Sequence, residues 1–272
     1  MKVGVVLDRS KPQPVEDFDL NLFFVKEVTG SVRRPLDNAI NIVTCFNDNK
    51  AVGEDLGLAA ISPQDRAVRG NEKHHFLWDW ICPTNEAYRR KLLDLIRETS
   101  RANIAGLRLD GVQFAGEEYC TCPRCTSMRS RSSLGWGEWK SSVITEFVKE
   151  VSGIVKGDLS LLADPDPCST KESYGLDYGA LSKYIDYFIV PLLDTTYSTV
   201  YWARILARCF RRQIKAPLYI QLYAANPGMP PLKNVIGAAK VVSDYADGVI
   251  FETFDSPTAK GLRQMMIPTK QE

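Results

Sequence analysis

Asp110 closes the apolar run "LRLDGV", two residues after Arg108 and directly before Gly111. Alternate residues of a strand share one face, so this arginine and this aspartate point the same way. A guanidinium beside a carboxylate favours its ionised form, which is the form a nucleophile needs. The same two residues could equally make a buried structural ion pair. Other acids and amides close other apolar runs: Asp8, Asp48, Asp79, Asp164 with Asp166, Asp194, Gln221, and Glu252 with Asp255. One such acid can cap a helix or meet an arginine. Several at one rim repel each other in a dehydrated cleft. A rim of that kind calls for a bound cation, or for two carboxylates with divided roles, as in glycosidic bond cleavage.

Aromatic residues fall near the same places. Trp78, Trp80, Tyr197, Tyr201, Trp202, Tyr219 and Tyr223 lie at or near the ends of apolar runs or the starts of the helices after them. Flat apolar faces with polar edges suit sugar rings, and they also suit a core. Arg108, Trp78, Trp80, Asp166, Tyr197, Gln221, Tyr223 and Glu252 are therefore the candidate substrate contacts. Asp110, Asp164 and Asp194 are the candidate catalytic carboxylates.

The segment "EYCTCPRC" places Cys120, Cys122 and Cys125 within six residues. Three thiols so spaced resemble half of a zinc site and need a fourth ligand. Cys82 and Cys168 both follow expected strands and could supply it, Cys82 being the candidate carried forward. Otherwise the thiols merely brace a loop. Cys45 ends an earlier strand and is a weaker candidate for the fourth ligand, and Cys209 sits in an expected helix and reads as packing. The two histidines, His74 and His75, lie in a polar segment and form no H-E-x-x-H motif, which argues against catalytic zinc. No G-x-S-x-G elbow or Walker loop is present.

Positioning these groups requires a scaffold whose strands end at one place. Apolar runs predict strands at Val3–Leu7, Ile40–Phe46, Leu56–Ile61, Phe76–Ile81, Ala105–Phe114 and "LSLLAD", then at "YIDYFIVPLLD", "APLYIQLYA" and "DGVIFETF". Residues 15–34 are ambiguous between strand and helix. Helical spacing appears in Asn85–Ser100, in "EWKSSVITEFVKEVSGIVKG", from Ser198 to Arg212, in "PLKNVIGAAKVVSDYA" and after Pro257. Strand and helix alternate at least five times after residue 76, which predicts a parallel sheet. About eight strands close it into one α/β unit over residues 1–272, a (β/α)8 TIM barrel, irregular in its first three βα units. An open doubly wound sheet is the rival. The first strand lacks the G-x-G-x-x-G turn of dinucleotide binders.

The chain has 272 residues, enough for one barrel, with 44% hydrophobic and 25% charged residues. A net charge of +1 gives no field favouring nucleic acid. No apolar run reaches membrane-spanning length, so no membrane partner is expected. "MKVGVVLD" reads as a first strand rather than a signal peptide, which predicts a cytoplasmic protein. Seven cysteines without a secretion signal predict reduced thiols or a metal site. Oligomeric state is not legible.

The segment "ICPTNEAYRRKLLDLIRE" followed by "AGLRLDGVQFAGEEYCTCPRC" resembles glycoside hydrolases with TIM-barrel catalytic domains. Those chains carry a Cys-Pro before a helix opening in "YR", a strand of the type "DGIRLDxxxF" and a "CxCxxC" loop. The counterparts are Cys82-Pro83, Tyr88-Arg89, Gly106 to Phe114, and Cys120, Cys122 and Cys125. The likeness covers roughly residues 76 to 255, and Ala105 stands where the pattern has an aspartate. It implies a carbohydrate substrate, no cofactor for catalysis and a fourth-strand nucleophile at Asp110. The acid/base position is Asp194 by likeness to α-galactosidase-type barrels, and Asp164 or Asp166 by likeness to α-amylase-type barrels. The alternatives are a barrel that binds glycans without cleaving them, a metal-dependent lyase or aldolase using the acidic rim, and a cysteine loop that docks a partner.

Overall fold

The computed structural model describes residues 1–10, 12–192, 199–224, 232–253 and 256–266. Eight parallel strands close in sequence order into a barrel. They are β1 (Lys2–Val6), β2 (Leu20–Lys26), β3 (Ile40–Thr44), β4 (Gly106–Asp110), β5 (Asp158–Leu162), β6 (Tyr187–Leu192), β7 (Leu218–Tyr223) and β8 (Gly248–Glu252). The helices are α1 (Asn49–Glu54), α2 (Glu86–Thr99), α3 (Pro123–Ser130), α4 (Trp136–Ser152), α5 (Tyr178–Leu181), α6 (Val200–Gln213), α7 (Leu232–Val242) and α8 (Ser256–Met266). The expected TIM barrel is the observed fold, and its first units are irregular. No helix among the described residues links β1 to β2 or β2 to β3.

Two expected strands are corrected. Leu56–Ile61 begins as a 3-10 turn at Leu56–Leu58, and Phe76–Ile81 contributes only isolated bridges, Asn47 to Trp80 and Ala59 to Ile81. Both belong to the long connection from β3 to α2. Its apolar residues cover the barrel rather than enter the sheet, and Leu77 is exposed. The missing strand is β2, inside the segment whose period was ambiguous. Its Phe23 and Val25 face the helices and its Leu22 and Phe24 face the barrel interior. A strand buried on both faces shows no alternation.

The interior is filled by Val6, Leu22, Phe24, Ile40, Ile42, Tyr187, Ile189, Tyr219 and Ile250, with the Tyr187 and Tyr219 rings stacked 4.7 Å apart. The outer core packs helices on strands. In α2, Tyr88, Leu92, Leu93 and Ile96 are buried, and Asn85 caps the helix by accepting from the Tyr88 N–H. At the opposite end from the mouth, the aspartate just before an even strand accepts an N–H of the preceding strand. Asp19 binds Val3 at 2.7 Å, Asp186 binds Leu159 at 2.7 Å and Asp247 binds Leu218 at 2.9 Å. Ala105 stands in this position before β4, so that contact is absent there.

Lys26 at the end of β2 is buried and pairs with Asp48 at 3.0 Å. Asp48 also caps α1 through the Ala51 N–H and accepts from the Tyr88 hydroxyl at 2.8 Å. Burial disfavours the Asp48 anion, but Lys26, Ala51 and Tyr88 outweigh it, and its pKa is lowered. Asp48→Ala strands a buried ammonium and uncaps α1. Denaturant titration at neutral pH is expected to show a loss of about 3–5 kcal/mol. A native pKa below the unfolded one gives stability present above the ordinary aspartate range and lost as pH falls through the native value. The gap between parent and variant should therefore shrink in acid.

Candidate active site

Inward positions of the strands climb from the apolar interior to the polar mouth. Ile42 of β3 pairs in register with Arg108 of β4, and Thr44 with Asp110. Ile42 is interior, so Arg108 and Asp110 are as well. On the other side Tyr219, Gln221 and Tyr223 of β7 and Ile250 and Glu252 of β8 follow the same alternation. The chain leaves β4 at Gly111, whose φ is +62° and where a side chain would collide with the Asn47 carboxamide. Glycine lets the chain turn away there while β3 stays close.

The buried Arg108 organises this layer. Its Nε and Nη2 donate to the two Asp110 oxygens at 2.7 and 2.9 Å, and its Nη1 donates to Gln221 Oε1 at 2.5 Å. Gln221 Nε2 donates in turn to Glu252 Oε2 at 2.7 Å. One guanidinium thus fixes two carboxylates, the second of them through one amide. Gln221, expected as a substrate contact, is fully buried and holds Glu252 in place. Burial pushes the Asp110 carboxyl up, against the opposing pull of Arg108. Burial also pushes Glu252 up, with Arg108 and Arg9 opposing and the Asp110 charge reinforcing the rise.

Above this layer lies a cleft of about 350 Å³ at the C-terminal mouth. Asp110, Arg108, Glu252, Tyr223 and Trp78 all line it. Trp78 is 43% exposed. Two charged residues that the strand-end pattern does not flag, Glu27 and Arg9, also line it. Glu27 follows β2 and pairs with Arg9 at 2.8 Å and Arg33 at 3.1 Å, and Arg9 reaches Glu252 at 3.8 Å. The "VKE" at the end of the Leu20–Val25 apolar run was the available signal.

Other expected site residues lie elsewhere. Asp164 accepts from Gln113 at 2.8 Å, and burial pushes its carboxyl up, but it is not among the residues lining the cleft. Asp166 accepts from the Cys168 N–H and the Tyr174 hydroxyl. Trp80 packs against the outer core. Asp79 is not at a strand end and binds Arg69. Asp194 and Tyr197 lie outside the described residues. Cys82, Cys120, Cys122 and Cys125 come together, with their sulfurs within 4.8 Å of one another, and could hold a metal ion. Cys168 is exposed and not part of that group.

The fold and mouth define a (β/α)8 barrel with a carboxylate-lined cleft. No protein-family model matches the chain, and no curated protein matches it. Solved structures do. The chain is similar to α-L-fucosidase isoenzyme 2 from Paenibacillus thiaminolyticus, with 14% identity over 98% of this chain and 49% of that one, at a TM-score of 0.67. It is similar to the glycoside hydrolase domain of PelA from Pseudomonas aeruginosa, with 10% identity over 92% and 94% and a TM-score of 0.52. The GH20 beta-N-acetylhexosaminidase from Streptomyces coelicolor matches over the whole of this chain and 65% of that one, at 9% identity and a TM-score of 0.53. The likeness is one of fold, and these neighbours are glycoside hydrolases. No helix among the described residues is long and apolar enough to cross a membrane.

Proposed function

We propose that the chain is a glycosidase working with Asp110 and Glu252. The observation that carries this reading is one cleft, at the mouth where barrel enzymes place their chemistry, lined by both carboxylates and by an exposed tryptophan. Asp110 attacks the anomeric carbon while Glu252 protonates the leaving oxygen, and water then releases the sugar with Glu252 as base. Burial raises both carboxyls. Arg108 opposes the rise at Asp110 through a direct two-point pair, while Glu252 meets that guanidinium only through Gln221. Glu252 is therefore assigned as the acid and Asp110 as the anion. Asp164 is the rival acid, since burial raises its carboxyl too. The proposed reaction needs two carboxylates and water, and no cofactor.

A panel of chromogenic aryl glycosides and oligosaccharides tests the reading. Release of aglycone or new reducing ends, absent in the Asp110 variants below, supports it. One observation favours a second reading, a barrel that binds glycans without cutting them: Arg108 engages both Asp110 oxygens. Saturable binding without product would establish that reading. Turnover abolished by a chelator and restored by a divalent ion would instead mark a metal-dependent lyase or aldolase. Trp78→Ala is expected to weaken substrate about tenfold through KM, with kcat little changed, because a stacking face gives roughly 1–2 kcal/mol.

A further inference from the structure

We propose that Cys82, Cys120, Cys122 and Cys125 bind one zinc ion as thiolates, and that the ion clasps two loops of the barrel mouth. Tetrahedral zinc with Zn–S bonds of about 2.3 Å sets neighbouring sulfurs about 3.8 Å apart. Cys82 lies 3.8 Å from Cys122 and 3.4 Å from Cys125, and all four sulfurs fall within 4.8 Å of one another. These separations exceed the roughly 2.05 Å of a disulfide. An iron–sulfur cluster would set the cysteine sulfurs further apart, with sulfide ions between them. Four thiolates around one ion leave a net charge of about −2. The surroundings answer it. The Ile61 and Cys125 N–H groups donate to Cys120 and Cys122 at 3.4 Å each. Thr84 Oγ1 touches the Cys82 and Cys125 sulfurs at 3.2 Å, and Arg124 donates to Thr84 at 2.9 Å. Cys82, Cys120 and Cys125 are buried, which shields the site from exchange.

The ligands come from two segments far apart in sequence. Cys82 ends the long β3–α2 connection, three residues before the cap of α2. The other three lie between β4 and α3 or within α3. Between Asp55 and Cys82 the connection has only a 3-10 turn and isolated bridges as regular structure. Connections of this length with so little regular structure are uncommon in a compact domain, and a bound ion would tie this one to the β4 loop. Lys140 holds the β4 loop from its other side by donating to the Gly116, Glu117 and Ser173 carbonyls. Trp78 stands on the cleft four residues before Cys82, so the ion would set one cleft wall. Only that last consequence rests on the glycosidase reading.

The test is metal analysis of the purified full chain, followed by exchange with Co(II). One zinc per chain is expected, and the cobalt form should show intense visible bands of a tetrahedral ion with thiolate charge transfer in the near ultraviolet. Thr84→Ala should weaken cobalt binding about 10- to 100-fold, the cost of losing an outer partner, and Cys82→Ser should weaken it more. Cys168→Ser should change nothing. If Cys82→Ser fails to fold, Thr84→Ala and Cys122→Ser carry the same test. Less than stoichiometric uptake, an iron-thiolate spectrum in the isolated protein, or unchanged cobalt binding after Cys82→Ser would overturn the site. Metal removal should also speed proteolysis between residues 62 and 78. Unchanged proteolysis would overturn the clasp and leave the metal standing. Neither readout uses turnover, so failure of the glycosidase reading is seen separately.

Discussion

Asp110→Asn should lower kcat on any glycoside the protein cleaves by on the order of 10³-fold or more, because the amide cannot attack the anomeric carbon. Substrate affinity should stay within a few-fold. The variant also leaves Arg108, 1% exposed, facing an amide where it had two anionic acceptors. Stability should therefore fall by about 3–5 kcal/mol. The two effects are separable. Asp110→Glu keeps the charge but moves the attacking oxygen, so kcat should fall with less loss of stability. Asp110→Ala supplies the chemical signature: azide should restore release from an aryl glycoside by entering where the carboxylate stood. A folded Asp110→Asn protein with undiminished turnover would reject Asp110 as the nucleophile. The Arg108 pair would then be scaffold alone.

Glu252→Gln should cut turnover on sugar leaving groups by about 10²–10⁴-fold. Aryl glycosides with acidic leaving groups should be spared in the first step, because they need no protonation. The pH profile adds a sign. An acid must be protonated to act, so parent activity should fall as pH rises through the raised Glu252 pKa. The variant should lose that alkaline limb. The carboxamide that Glu252→Gln introduces keeps a carbonyl oxygen able to accept from Gln221, so the layer should stay ordered. If Glu252→Gln retains full turnover on poor leaving groups and Asp164→Asn does not, the acid is Asp164.

The alternation of strand and helix after residue 76 was legible because each βα unit carries a 3.6-residue helical period between short apolar runs. Asp110 beside Arg108 was legible because period two puts both on one face. Cys82 joins the C-x-C-x2-C loop although no strand precedes it, because Phe76–Ile81 is a covering connection that the fold lays beside that loop. Burial on both faces hides β2, and Glu27 with it. Arg9 follows the legible first strand, but only the fold brings it to Glu27 and Glu252. Local periods and spacings encode the barrel class, the Arg108–Asp110 pair and the C-x-C-x2-C triplet. Which carboxylates share the cleft is set by the closed barrel. Closing eight staggered strands brings Glu252 and Asp110 to one guanidinium across the barrel, while Asp164 stays with Gln113. That selection depends on register and strand order, which no local pattern contains.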